Sequence, residues 1–388
     1  MFTNEDVAYG NTTLPKGVRS GYAENVNGLT VHFLEAGFEE KDRPCVLLLH
    51  GFPEMAYCWR KQLLPLANAG FHVVAPDQRG YGRTTGWDAD YDGDVGSFRL
   101  YNLVKDALTL VFALGHRSVA AVVGHDFGAP VAAYCSLIRP DVFRSLVLLS
   151  SPFAGVPSLP FNTGRKPAVN TSSRKTDVYA DLAELDIPRK HYQQYYSSPQ
   201  ANSDMLNCPQ GLKDFFRAYF HVKSADWLGN KPHQLTSWSA AELEKLPRYY
   251  VMDLDKTMPE TVAPAMPSLI PSEDCAWLND AELSVYCEEY QKNGFQGGLQ
   301  WYRCSNNPRY VSDLKMFSGR TVDVPSYYIG GASDWGTHQA PGAFESMQAS
   351  SCTHMIGAIF VEGAGHWVQQ EQPTTTNSLL IKFLRKNS

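Results

Sequence analysis

The segment Val122-Val123-Gly124-His125-Asp126-Phe127-Gly128-Ala129 joins two kinds of local pattern. An apolar run from Val119 to Val123 enters it and a helical run through Ile138 leaves it, so the sequence predicts strand, sharp turn, helix. Gly124, Gly128 and Ala129 are small enough to let the backbone double back and lift one side chain at the apex. In esterases the apex is the serine of G-x-S-x-G; that pattern occurs nowhere in this chain, and the apex here is Asp126. A carboxylate nucleophile attacks an sp³ carbon and leaves an alkyl ester on the protein, which suits ring opening or halide displacement. An Asp at this place can equally well cap the helix that follows. The turn alone does not decide between the two.

Outward from the turn, residues 28–37, 44–50 and 71–76 read as strands on the N-terminal side, and 98–115 as an amphipathic helix. On the C-terminal side 145–149, 324–329 and 356–361 read as strands and 378–384 as a closing helix. Continuous Val/Leu/Ile runs alternating with helices predict a mostly parallel sheet covered on both faces. Residues 154–318 break that pattern. They open Pro/Ser/Thr-rich and then turn aromatic and helical, without a strand pattern, as in HYQQYY, LKDFFRAYF and DAELSVYCEEYQKNGF. The expected organisation is an α/β core over 1–153 and 319–388, with 154–318 inserted as an all-helical cap whose N-terminal connector is extended.

The chain has 388 residues, 44% hydrophobic and 19% charged, with a formal net charge of −6. That balance excludes disorder, and a mildly acidic chain without Lys/Arg clusters is a poor nucleic-acid binder. No apolar run has the length of a membrane helix. The eight cysteines are scattered without a CxxC pair, which argues against a disulfide framework or zinc site and for reduced thiols in the cytoplasm. No metal or cofactor is called for.

Three further segments carry chemistry. His50-Gly51-Phe52-Pro53-Glu54 follows the buried strand CVLLLH, and the backbone N–H groups of Phe52 and Phe127 could form an oxyanion hole. Asp334 ends the strand-to-turn run YYIGGASD, and His366 lies 32 residues on in EGAGHW. Nucleophile, acid and base thus each follow a strand, and an imidazole needs a carboxylate to fix its tautomer. Each piece has a plainer reading as a turn or a structural histidine. Their order and spacing together support a catalytic set of Asp126, Asp334 and His366.

Those pieces form the α/β-hydrolase pattern. HGFPEMAYCWR, DQRGYGRTT (77–85), GHDFGAPVAAY, NGFQGGLQWYR (293–303) and GAGHWVQQEQP (363–373) resemble soluble epoxide hydrolases over nearly all of 28–386, least so over 155–185. The resemblance implies an Asp nucleophile, a His–Asp pair, a helical cap, a cis Phe52–Pro53 bond and two cap tyrosines that hold the epoxide oxygen. The second of these tyrosines falls on Tyr302, and the first on Tyr192, with Tyr195 and Tyr196 as rivals. His50, Pro53, Trp301 and Trp367 are expected to line the substrate site. The implied partners are an apolar epoxide and water; cap aromatics such as Phe215, Phe216 and Phe220 point to an apolar pocket. Haloalkane dehalogenases share the fold and the Asp but place Trp after the nucleophile, where this chain has Phe127. Fluoroacetate-type dehalogenases take halide donors partly from the cap and are the nearest alternative. A non-catalytic hydrolase-like binder usually lacks the nucleophile or the histidine, or carries Ser in the turn, whereas Asp126, Asp334 and His366 are all present here.

Overall fold

Strands without polar alternation persist only where helices cover both faces of the sheet, and this dictates the architecture. The computed structural model describes residues 10, 13–159, 177–266 and 275–387; most of the expected 155–185 connector lies outside the described residues. The strands are β1 (Arg19–Val26), β2 (Leu29–Ala36), β3 (Cys45–Leu49), β4 (His72–Pro76), β5 (Ala121–His125), β6 (Leu146–Leu149), β7 (Arg189–His191), β8 (Val251–Asp253), β9 (Ser326–Gly331) and β10 (Met355–Val361). Eight of them form one sheet in the order β1-β2-β4-β3-β5-β6-β9-β10. β1 and β2 pair antiparallel, as do β2 and β4, and every pair from β4 to β10 is parallel. Every residue of β3, β5 and β6 is buried, which is why these strands read as unbroken apolar runs.

The chain runs from β3 out to β4 and returns to place β5 on the other side of β3. Strand order therefore reverses between β3 and β5. In open α/β sheets the crevice at the carboxyl ends of such strands is where ligands bind. The HGFP loop leaves β3 at that point, and Asp126 directly follows β5.

Two features depart from the sequence reading. β1, with the sequence RSGYAENV, is an edge strand with a register shift between Ala23 and Val26; its charged and small residues hide the strand pattern. The cap is not all helical. β7 and β8 form a separate antiparallel ladder that pairs Arg189 with Asp253 and His191 with Val251. Three-residue strands are too short to show a period of two.

The remaining described cap elements are helices, the longest being Gly211–Lys223, Asp280–Asn293 and Gln296–Ser305. The last of these sits directly on the core turn of DQRGYG. A Cβ on Gly297 would fall 2.1 Å from the Gly80 carbonyl oxygen, so only glycine permits this approach. The Trp301 indole N–H donates to the Arg79 carbonyl at 2.9 Å, and the buried pair Arg60–Glu282 at 2.8 Å fastens the second long helix. Among the described residues no helix is long and apolar enough to cross a membrane.

Candidate active site

Asp126 stands at the apex of the β5 turn with φ +50°, a left-handed conformation unusual for a residue with a side chain. The turn is possible because a Cβ on Gly124 would fall 2.3 Å from the Gly128 carbonyl oxygen, and one on Gly128 2.4 Å from that of Leu49. Glycine at both positions brings the helix Gly128–Ile138 tight against the sheet and leaves the Asp126 side chain projecting.

The HGFP loop closes over that carboxylate. The Phe52–Pro53 peptide is cis, and the Phe52 N–H donates to Asp126 Oδ1 at 2.9 Å. Gly51 is pressed so close that a Cβ there would meet both Asp126 Oδ1 and the Phe127 nitrogen. His366 enters from the turn after β10, its Nε2 3.2 Å from Asp126 Oδ2 and its Nδ1 3.1 Å from Asp334 Oδ1. Asp334 is fixed by accepting the Gly336 N–H at 2.7 Å. An ionised carboxylate only accepts, so the ring nitrogen that faces Asp334, Nδ1, carries a proton, and Nε2 is the nitrogen turned toward Asp126.

Burial alone would raise the Asp126 carboxyl. His366, the Lys223 ammonium and His125 outweigh it, and the net effect is to hold Asp126 well below the usual carboxylate range. Asp334 is likewise lowered: its burial is offset by His366, the Gly336 N–H and Lys223. Lys223 is itself buried, with its ammonium 5.0 to 5.9 Å from the ring centres of Tyr219, Tyr249, Tyr250 and Trp367. Those ring faces attract a cation.

A cavity of about 360 Å³ opens above Asp126, with Phe127, Tyr192, Tyr302, Trp301 and Trp238 among its walls. The two phenol rings meet edge to face, 5.9 Å apart. Burial raises both phenols, and the nearby Asp126 charge raises them further, so they remain proton donors. The rivals turn elsewhere: the Tyr195 hydroxyl donates to Asp204 at 3.0 Å and that of Tyr196 to Tyr219 at 3.2 Å, and neither lines the cavity.

Of the four expected substrate contacts only Trp301 lines the cavity. His50 is wholly buried; its Nδ1–H donates to the Gly51 carbonyl and its Nε2 accepts from the Gln78 N–H. It pins two core loops together. Pro53 is buried beneath the loop it turns. Trp367 points away into the cap, donating to the Phe220 carbonyl at 2.9 Å with its ring 4.6 Å from that of Phe220. Phe215, Phe216 and Phe220 pack in the cap's own interior. The apolar wall comes instead from Phe98, Leu103, Val311 and Leu314.

Sequence reading also missed a buried pair. His125 Nδ1 lies 2.6 Å from Glu54 Oε2, and Nε2 lies 2.8 Å from the His366 carbonyl oxygen. Both partners accept, so both ring nitrogens carry protons, and Glu54 raises the imidazole pKa against the effect of burial. The two residues sit in HGFPE and GHDFG, but nothing in either stretch pairs them.

Among the described residues one cluster away from the site has metal-ligating chemistry. Cys45, His72 and His116 place ligand atoms within 4.8 Å of one another. His72 Nδ1 lies 2.8 Å from His116 Nε2, a hydrogen-bond contact. Cys45 and His72 begin β3 and β4, so the cluster is at the end of the sheet opposite Asp126.

Comparison with known proteins agrees with this geometry. Residues 44–373 match the family described as alpha/beta hydrolase fold. Epoxide hydrolase B of Mycobacterium tuberculosis is 31% identical over 381 residues, covering 93% of this chain and 96% of that protein. Among solved structures, an epoxide hydrolase from an endophytic Streptomyces superposes with a TM-score of 0.73 at 29% identity, covering 96% of each chain. Potato (Solanum tuberosum) epoxide hydrolase I superposes at 0.70 with 27% identity, covering 95% of this chain and 99% of that one.

Proposed function

The chain belongs to the α/β-hydrolase fold family and within it to the epoxide hydrolases, and on that premise we propose which of its residues perform the hydrolysis and on what kind of epoxide. Asp126 is the nucleophile. One carboxylate oxygen attacks an epoxide carbon, that carbon's bond to the ring oxygen breaks, and a hydroxyalkyl ester forms. The departing oxygen takes a proton from Tyr192 or Tyr302, while the other phenol donates a hydrogen bond to it.

His366, oriented by Asp334, then removes a proton from water as the water oxygen adds to the ester carbonyl. The Phe52 and Phe127 N–H groups stabilise the resulting oxyanion. When the intermediate collapses, the alkoxide takes the proton from His366, giving the vicinal diol. The new Asp126 carboxylic acid returns its proton to the phenolate, and the site is restored. Water is the only co-reactant.

The observation that carries this reading is the chain of contacts Asp334–His366–Asp126, each within 3.2 Å, lying beneath two phenols that share one cavity with the carboxylate. The walls favour an uncharged, apolar epoxide such as an aryl or alkyl oxirane. Eight free cysteines, six of them buried, fit a reducing, cytoplasmic setting. Turnover of styrene oxide, a lipid epoxide and fluoroacetate by wild-type protein and folded Asp126→Ala tests the assignment. Diol formation by the wild type alone is the expected result; release of fluoride or an active Asp126→Ala variant would overturn it.

A further inference from the structure

The base His366 sits on a turn whose own bonds do little to hold it. Its backbone is gripped from outside. The His366 N–H donates to the carbonyl of Lys223, a cap residue, at 2.9 Å. Its carbonyl oxygen accepts from His125 Nε2 at 2.8 Å and from the Ser150 hydroxyl at 2.9 Å. The flanking peptides are held by one side chain, Glu371. Oε2 accepts the Gly365 N–H at 2.9 Å and Oε1 accepts the Trp367 N–H at 3.0 Å. Oε2 also accepts the N–H of Ala225, in the cap, at 2.8 Å.

The seam is tight as well as bonded. A Cβ on Gly365 would fall 2.5 Å from the Lys223 carbonyl oxygen and 2.5 Å from the Ser224 carbonyl carbon. Trp367, on the far side of His366, donates into the same cap helix at Phe220. The cap segment that follows the helix Gly211–Lys223 is therefore one wall of the seat of the base, and Glu371 is the pin that joins wall and turn.

We propose that Glu371 is a positioning residue for the hydrolytic half of the reaction: by binding Gly365, Trp367 and Ala225 together it holds the His366 imidazole where it can take a proton from water. The inference rests on the reading of His366 as the base of ester hydrolysis. Glu371 touches neither substrate nor reacting atoms and acts only through the turn it pins. Ring opening uses Asp126 and the two phenols, none of which is bonded to Glu371, so the two steps respond differently to its loss.

Glu371→Gln is the test. A carboxamide offers one accepting oxygen and one donating nitrogen, so in either orientation at least one of the three N–H groups faces another donor. A shift of about 1 Å in a reacting group costs on the order of 100-fold, so ester hydrolysis should slow by about 10- to 100-fold. Alkylation by styrene oxide should stay within about twofold of wild type. The burst of alkylated protein counts the folded sites, so the hydrolysis rate is taken per alkylated enzyme, and Glu371→Asp, which keeps a carboxyl group with two accepting oxygens, should lie between wild type and Gln.

Accumulation of alkyl-enzyme with fast ring opening supports the proposal. Wild-type hydrolysis in Glu371→Gln, or equal slowing of both steps, overturns it. His366→Gln run alongside separates the two claims. If it stalls as the ester while Glu371→Gln turns over freely, only the positioning role fails. If His366→Gln itself hydrolyses normally, the reading of the base fails.

Discussion

Removing the two phenol hydroxyls tests the oxygen-binding half of the site, and the structure makes the two losses unequal. A donor aimed at a developing oxyanion is worth about 2.7–4 kcal/mol. Among the described residues the Tyr302 hydroxyl meets no hydrogen-bond partner, so Tyr302→Phe should forfeit the whole amount, about 100- to 1,000-fold in ring opening. The Tyr192 hydroxyl already donates to Gln339 Oε1 at 3.1 Å and accepts from Gln193 at 3.2 Å. It must surrender the Gln339 bond, worth about 0.5–1.5 kcal/mol net, before it can serve the epoxide. The remainder, about 1–3.5 kcal/mol, corresponds to about 5- to 400-fold. Single-turnover rapid quench with styrene oxide reads the alkylation rate directly. The expected order is wild type fastest, then Tyr192→Phe, Tyr302→Phe and the double variant. Full activity in the double variant, or loss in Tyr195→Phe with Tyr192→Phe intact, would refute the assignment.

Other consequences follow from the same geometry. Because burial raises Tyr192 and Tyr302 above their ordinary value, both stay protonated as pH rises, and single-turnover ring opening should not decline between about pH 7 and 10; a fall centred near a normal phenol value of about 10 would contradict this. The fold raises His125, so its pair with Glu54 contributes stability that is fully present below about pH 6.5, the unfolded value, and is lost as pH rises through the folded value. The difference in Tm between wild type and Glu54→Gln should therefore be larger at pH 6 than at pH 9; an unchanged difference would place no charge on His125. In Gly124→Ala the new Cβ lies 2.3 Å from a backbone oxygen, which urea denaturation should register as a loss of about 1–3 kcal/mol, while Ala at the exposed Gly115 position, where nothing lies within 4 Å, serves as the comparison for backbone strain alone.

What could be read from the chain was whatever lies in a local pattern. The turn GHDFGA, the loop HGFP and the strand-ending Asp334 and His366 carry their geometry in neighbouring residues, because a tight turn restricts which residues can build it. Contacts between distant segments carry no such mark. Trp367 and His50 adjoin these motifs in sequence yet face away from the cavity, since successive residues in a turn point in different directions. Tyr192, Tyr195 and Tyr196 are equivalent by composition; only the positions of Asp204 and Tyr219 separate them. Glu371 and Ala225 stand 146 residues apart, and no spacing rule joins them. β1 was hidden by its polar edge, and the β7–β8 ladder by its length.

A covalent ester on Asp126 would be visible by intact-protein mass spectrometry of His366→Gln after exposure to an epoxide. Ring opening needs Asp126 and the phenols but no base, whereas ester hydrolysis needs a base to activate water. The variant should therefore gain the mass of one whole epoxide, since no leaving group departs, and then stall, with peptide mapping placing the addition on Asp126. An unmodified His366→Gln protein that forms diol at the wild-type rate would show that water attacks the epoxide directly, and the covalent account would fall.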